Sequence, residues 1–353
     1  MRSTRSGPRA EAAGRNRVRW LGAHPSPVVP MRAIPSRVPA RGIRKRSLAK
    51  SRKPAERDHN REESVVTGRE QHPTKTLEAE RSNQALWDEL APVHYRSYRE
   101  VEILRAGGEV LDEVETQELG PVTDRTLLHL QCHIGTDSLA WARRGARVTG
   151  VDFSARSIAM AETLARELQI PARFLHCNVY DLPQQLDERY DIVYTSRGVL
   201  CWLYDLQRWG GIIAHHLKPG GRFYLMESHP FCNLFDDSRP GRLQLIHSYF
   251  HDPRPVRWDS GDGDYDDASY VPCHPSYEWV WSIADVLGAL LGAGLRLESV
   301  RELDRIFYRH FPGMVPCRDR WYQHPEHPGQ LPLTFTLCAR KPDPSAESVG
   351  GES

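Results

Sequence analysis

Five short stretches carry residue types that could bind a ligand or move a proton, and each stands at or just after the end of a strand-length run rich in apolar residues. Gln131-Cys132-His133-Ile134-Gly135 follows Leu127-Leu128-His129-Leu130, and Asp152-Phe153 follows Val148-Thr149-Gly150-Val151. Asn178-Val179-Tyr180, then Thr195-Ser196 with Gly198, then Glu227 with His229 repeat the arrangement further on. Asp152 offers a carboxylate that can accept from a ligand hydroxyl or cap the helix beyond it. Glu227 and His229 are of the types that take a proton from a reacting group. His129, Cys132, His133, His176 and Cys177 lie close together in sequence, but HxxCH is not a metal-ligand spacing, so no metal is expected. Seven cysteines without a CxxC pair argue against a disulfide framework, and no Cys-His-acid order makes Cys132 a nucleophile.

What must position these stretches is an alternation of strand-length and helix-length patterns from Thr126 onward. Strands are predicted over residues 126–130, 147–151, 172–175, 191–195 and 222–226. Between them run helices over about 136–144, stopped by Gly145, over a segment capped by Ser154 with apolar Ile158, Ala161, Leu164, Ala165 and Leu168, and over Leu206 to Leu217, ended by Lys218-Pro219-Gly220-Gly221. A late amphipathic helix holds Ile283, Val286, Leu287, Leu290 and Leu291, and strand candidates at 295–302 and 332–339 could close the sheet as a pair. The pattern predicts an α/β fold with a doubly wound, mostly parallel sheet and helices on both faces. In such a sheet ligands sit beyond the carboxyl ends of the strands, which is where all five stretches fall.

The stretch LLHLQCHIGTDSLAWARRGARVTGVDFS, followed by RFLHCNVYDLP, YDIVYTSRGVLCWL and LKPGGRFYLME, resembles class I, Rossmann-like S-adenosylmethionine-dependent methyltransferases, and LQCHIG resembles a bacterial subgroup with that loop in place of the glycine-rich one. The resemblance covers residues 126–229 and implies a seven-stranded sheet, S-adenosyl-L-methionine as cofactor and methyl transfer to a small-molecule acceptor. It implies a cofactor site of Gln131, Cys132, His133, Gly135, Asp152, Phe153, Asn178, Val179, Tyr180, Thr195, Ser196 and Gly198. Within it Asp152 would accept from the ribose hydroxyls and Asn178 would face the adenine amino group. Val179 and Tyr180 would flank the ring, and the small residues after the fourth strand would make room for the sulfonium. The sequence departs from the family loop: His129 stands in the acidic position, Gln131 and His133 stand at the first two glycine positions, and only Gly135 is kept. Methyl transfer is mainly a matter of alignment, with His229 or Glu227 as positional candidates for a base.

The net charge of +1 conceals an asymmetry. Residues 1–75 hold 19 Lys and Arg against 6 Asp and Glu, and the rest hold 28 against 40. Residues 1–75 lack apolar periodicity and are expected to be a disordered basic tail, as are residues 343–353 at the other end. Residues 76–125 would form a helical cap in which Trp87, His94, Tyr95 and Tyr98 could face the ligand, and residues 126–342 the methyltransferase domain. Within it an aromatic and Asp-rich insertion at 231–277 would act as a lid that chooses the acceptor. No apolar run reaches the roughly 20 residues of a membrane span, and a cytoplasmic protein is expected. Three rival readings are a nucleic-acid-associated methyltransferase using the basic tail, a cofactor-binding member without activity, and a nucleotide-dependent oxidoreductase. The acidic body and the TSRG after the fourth strand oppose the first, and the missing glycines oppose the last.

Overall fold

The computed structural model describes residues 72–235, 243–259, 263–318 and 320–347. Three helices come first, α1 His72–Ser97, α2 Arg99–Arg105 and α3 Glu113–Leu119. The alternating core follows as β1 Thr126–Leu130, α4 Thr136–Arg143, β2 Arg147–Asp152, α5 Ala155–Leu168, β3 Arg173–His176, α6 Leu182–Gln185, β4 Tyr190–Ser196, α7 Leu206–His216 and β5 Leu217–Ser228. The insertion carries β6 Val256–Trp258 and β7 Ser276–Glu278, and the order continues with α8 Ile283–Gly292, β8 Arg296–Leu303, β9 Val315–Arg318, β10 Trp321–Gln323, β11 Thr334–Arg340 and α9 Pro344–Glu347.

The sheet has seven strands in the order β3-β2-β1-β4-β5-β11-β8. β3 through β5 are parallel, and β11 runs antiparallel between β5 and β8. Successive side chains of a strand point to opposite faces. On β5, Phe223 and Leu225 join one core with Trp209 and Ile213 of α7 and Leu290 of α8, while Tyr224 and Met226 join the other with Trp141 of α4 and Leu104 of α2. The same alternation puts Leu128 and Leu130 of β1 in the first core and Leu127 in the second. Helices therefore cover both faces of a sheet buried on both sides, as a parallel sheet requires.

Local chemistry sets the boundaries. Ser154 caps α5, its hydroxyl accepting from Ser157 N, and Asp112 with Glu115 and Ser282 with Asp285 form reciprocal capping boxes on α3 and α8. The Lys218-Pro219-Gly220-Gly221 run does not stand apart as a helix stop: β5 already pairs at Leu217 with Tyr190, and the register shifts before Ile192 pairs with Arg222. A Cβ on Gly221 would meet Lys218 O at 2.9 Å and Tyr190 O at 3.1 Å, so the bulge needs glycine there.

Of the tail expected over residues 1–75, residues 1–71 lie outside the described residues, and α1 begins inside the remainder, at His72. At the other end α9 is helical within the stretch expected to be without structure, and residues 348–353 lie outside the described residues. No helix among the described residues is long and apolar enough to cross a membrane.

Candidate functional site

The strand order reverses between β1 and β4, and in a doubly wound sheet a crevice opens beyond the carboxyl ends at that point. The loop after β1 carries left-handed backbone at three alternate residues: Gln131 with φ 57°, His133 with φ 49° and Gly135 with φ 76°. The loop therefore keeps a glycine-type path although two of the three residues are not glycine, a conformation that disfavours each by roughly 1–2 kcal/mol. Gly135 is held by packing as well, since a Cβ there would meet Phe174 at 2.8 Å and Ala161 at 2.9 Å.

Asp152 ends β2 and is 7% exposed. His133 N donates to its Oδ2 at 2.8 Å and Ser154 N to its Oδ1 at 2.9 Å. The carboxylate thus supports the helix start and clasps the loop after β1. Burial pushes its pKa up to about 6, against the pull of those two amides. Gln131 bridges the switch point, its Nε2 donating to Val199 O at 3.2 Å, and its Oε1 is buried without a hydrogen-bond partner among the described residues.

At the end of β4, Thr195 is fully buried and Ser196 donates to Asp137 Oδ2 at 2.9 Å. Gly198 has φ 78°, and apart from its chain neighbours no described residue comes within 4 Å of where a Cβ would lie. Trp202 Nε1 donates to Gly198 O at 2.8 Å, and the Trp202 ring meets Trp87 of α1 edge-on at 5.2 Å. The peptides 198–200 are gripped from beside: Gly198 N, Val199 N and Leu200 N all donate to Glu227. Arg197 enters with φ 51° and donates to Glu115 of α3 at 2.6 Å, and Tyr194 OH donates to the same carboxylate at 2.6 Å.

Asn178 caps the turn at 179–181, its Oδ1 accepting from Tyr180 N at 3.0 Å, and its Nδ2 donates to Glu80 of α1 at 3.1 Å. Burial raises the Glu80 pKa. Val179 and Tyr180 are buried in the core beside Tyr204 and Arg208. Phe153 is half-buried, and its carbonyl accepts from Gln84 Nε2 at 2.7 Å.

Several expected residues sit otherwise than their sequence position suggested. His129 lies on the α4 face of β1, bonded to Ser138 Oγ at 2.8 Å, and burial lowers its pKa to about 4. It is a neutral packing histidine, because alternation along β1 turns it away from the loop. The Cys132 side chain points inward, against the position a Cβ on Gly150 would take, so Cys132 offers the cleft only its backbone. Burial pushes that thiol well above its usual range. Glu227 is 3% exposed and accepts from Ser228 N as well as the three peptides above, which makes it a backbone clamp. His229 Nε2 faces Glu302 of β8 at 2.9 Å, and its Nδ1 accepts from Phe231 N at 3.1 Å, so it fixes the exit of β5. The base roles expected of Glu227 and His229 do not match these surroundings. Tyr95 faces outward to Glu167, while Trp87, His94 and Tyr98 do gather over His133.

The insertion is fastened to α1. Asn83 donates to Tyr277 O at 2.7 Å and accepts from Tyr277 N at 2.8 Å, as a strand neighbour would. Glu89 accepts from Tyr270 OH, Cys273 N and His274 Nδ1 at 2.7–2.8 Å. Asp264 bonds His94, and Tyr265 OH bonds Tyr98 OH. Trp258 lies 45% exposed on β6. Glu115, Arg197 and the Asp264–His94 pair escaped the sequence reading: the Asp112-to-Glu115 capping box is visible in the sequence, but contacts between residues 82 and 170 apart leave no local signal.

Residues 127–221 match the family described as methyltransferase domain. The chain is 32% identical over 108 residues to the ubiquinone biosynthesis O-methyltransferase of Serratia proteamaculans, covering 31% of this chain and 44% of that one. It is 34% identical to the cypemycin N-terminal methyltransferase of a Streptomyces species, covering 30% and 42%, and 32% identical to the demethylmenaquinone methyltransferase of Clavibacter sepedonicus, covering 40% and 56%. The chain thus spans less than two thirds of the length of these relatives. Among solved structures, an S-adenosylmethionine-dependent methyltransferase from Mesorhizobium loti aligns with a TM-score of 0.45 at 18% identity, over 64% of this chain and 95% of that one.

Proposed function

We propose, from the premise that residues 127–221 are a methyltransferase domain, that this protein transfers a methyl group from S-adenosyl-L-methionine to a small-molecule acceptor. The observation that carries the reading is the loop after β1, whose left-handed residues Gln131, His133 and Gly135 bring a main-chain amide onto Asp152. That geometry keeps the path of a nucleotide-binding loop with only one of its three glycines, Gly135. The fit to the cofactor rests on the donor set. Asp152 is acceptor-only when ionised, and each oxygen can accept a further hydroxyl beyond its one amide. Gln131 Oε1, buried and without a partner among the described residues, suits an ammonium, and the open space over Gly198 suits a group passing close to the backbone. Phe153, Asn178, Val179, Tyr180, Thr195 and Ser196 would complete the wall, with Asn178 already set by its bond to Glu80.

When bound, S-adenosylmethionine supplies a methyl group activated by its sulfonium. The chain's own task is alignment and exclusion of water. Trp87, Trp202, His94 and Tyr98 form an aromatic wall against the loop, and the insertion fastened to α1 by Asn83, Glu89 and Asp264 lies on the acceptor side. The excess of acid over residues 76–353, 40 against 28, disfavours a polyanionic acceptor. Incubation with methyl-labelled cofactor and a metabolite extract tests the reading. It predicts a labelled small molecule that fails to form with Asp152→Ala. Label recovered in RNA or DNA alone would replace the acceptor class, and label in nothing would refute transfer.

A further inference from the structure

An unbroken line of hydrogen bonds runs from the insertion to the loop after β1. Asp264 accepts from His94 Nε2, with its oxygens at 3.1 and 3.2 Å. His94 Nδ1 lies 2.9 Å from His133 Nε2, and His133 Nδ1 lies 3.0 Å from Ser157 Oγ at the start of α5. His94 is fully buried, with Tyr98 stacked on it at 4.4 Å and Tyr265 beside it at 5.1 Å. An ionised carboxylate only accepts, so Asp264 dictates the rest. With both imidazoles neutral, His94 carries its proton on Nε2 and presents a lone pair at Nδ1. His133 donates to that lone pair from Nε2 and accepts the Ser157 hydroxyl at Nδ1. The main-chain amide of the same His133 donates to Asp152.

We propose that Asp264 is a positioning residue for the cofactor loop: acting through His94, it orients His133 and thereby couples seating of the insertion to cofactor binding. The inference rests on the methyltransferase reading above. His133 holds an unfavourable positive φ, and the line of bonds to Asp264 is what the fold supplies to keep its ring in place. Coupling of this kind is reciprocal, so cofactor binding would in turn favour seating of Asp264 and Tyr265 on α1. The insertion then serves the cofactor site as well as the acceptor.

A double-mutant cycle on S-adenosylhomocysteine affinity, measured by calorimetry on the full chain, tests this. His94→Phe keeps the ring and Asp264→Ala removes the anchor, and each should weaken affinity roughly tenfold. The double variant should bind no more weakly than either single one, because the line is already cut. Asp264→Asn is the conservative variant. Asp264 Oδ1 also accepts from Asp266 N and Asp267 N, so the asparagine oxygen stays on those amides and its NH2 group turns to His94. His94 Nε2 either still donates to that oxygen, 3.2 Å away, or both histidines reverse tautomer and Ser157 becomes the acceptor; the line survives in both cases, so affinity should stay within about threefold of wild type. That comparison also serves if Asp264→Ala does not fold. Losses that add in the double variant, single variants that bind as wild type, or an asparagine variant as weak as alanine would each overturn the inference while leaving the methyltransferase reading intact. A wild-type chain that binds no S-adenosylhomocysteine would overturn both.

Discussion

Glu227 Oε1 accepts the Gly198 amide at 2.7 Å, tying the end of β5 to the loop after β4. Its other oxygen takes Val199 N at 2.7 Å and Leu200 N at 3.2 Å. Glu227→Gln turns an NH2 group toward donors and leaves at least one buried amide unpaired, which costs about 2–3 kcal/mol. Thermal denaturation should show a Tm lower by roughly 3–6 °C, and S-adenosylhomocysteine affinity should fall with it, since Gln131 holds Val199 O. A variant with unchanged Tm and affinity that has lost only turnover would restore Glu227 as a base.

Gln131→Gly separates backbone from side chain. Glycine removes the strain of φ 57° but adds chain entropy to the unfolded state, two effects of about 1 kcal/mol that oppose each other, and it loses the Nε2 bond to Val199 O, worth about 1 kcal/mol more. Stability should stay within about 1 kcal/mol of wild type by urea denaturation, while cofactor affinity falls roughly five- to tenfold for loss of the Oε1 acceptor. Unchanged affinity would mean that Gln131 serves only the loop.

Much of this was legible beforehand, for physical reasons particular to each element. The Leu127-to-Leu130 run, Asp152 at the end of β2 and the Ser154 cap are local signals, and the structure has all three where expected. The retained Gly135 was legible too, although its packing on Phe174 and Ala161 was not. Sequence position alone could not say which face of β1 His129 would take, nor that Glu227 would be claimed by peptides some 29 residues earlier. Links such as Asp264 to His94 join residues 170 apart and depend on how the insertion folds back on α1. Position after a strand finds the cleft, but which side chains stay free in it is decided by tertiary hydrogen bonding.

The raised Asp152 pKa makes cofactor binding pH-dependent. In the free protein burial favours the protonated acid below about 6, whereas hydroxyl donors from a ligand favour the carboxylate and lower the pKa in the complex. Binding therefore releases a proton near that pH. S-adenosylhomocysteine affinity should be full above about pH 7 and decline as pH falls through 6, by up to roughly tenfold per unit. Calorimetry in buffers of different ionisation enthalpy would count the proton. Affinity that rises on acidification would contradict the placement of Asp152 against the ligand.

Glu89 is the most heavily used anchor of the insertion, with three donors from Tyr270, Cys273 and His274. Glu89→Ala should loosen residues 263–275 without disturbing either core. Limited proteolysis should cut that segment several times faster at a Tm within a few degrees of wild type. Equal cleavage rates would show that Asn83 and the Asp264–His94 bond hold the segment unaided.

The most direct measurement is calorimetric titration of wild type and Asp152→Ala with S-adenosylhomocysteine, with NAD as the control ligand. A cofactor site built on the loop after β1 and the end of β2 predicts saturable one-to-one binding to wild type. It also predicts a loss of about 1.5–3 kcal/mol in a folded Asp152→Ala and no comparable binding of NAD. Binding of NAD in preference to S-adenosylhomocysteine, or an alanine variant that binds S-adenosylhomocysteine as tightly as wild type, would contradict it.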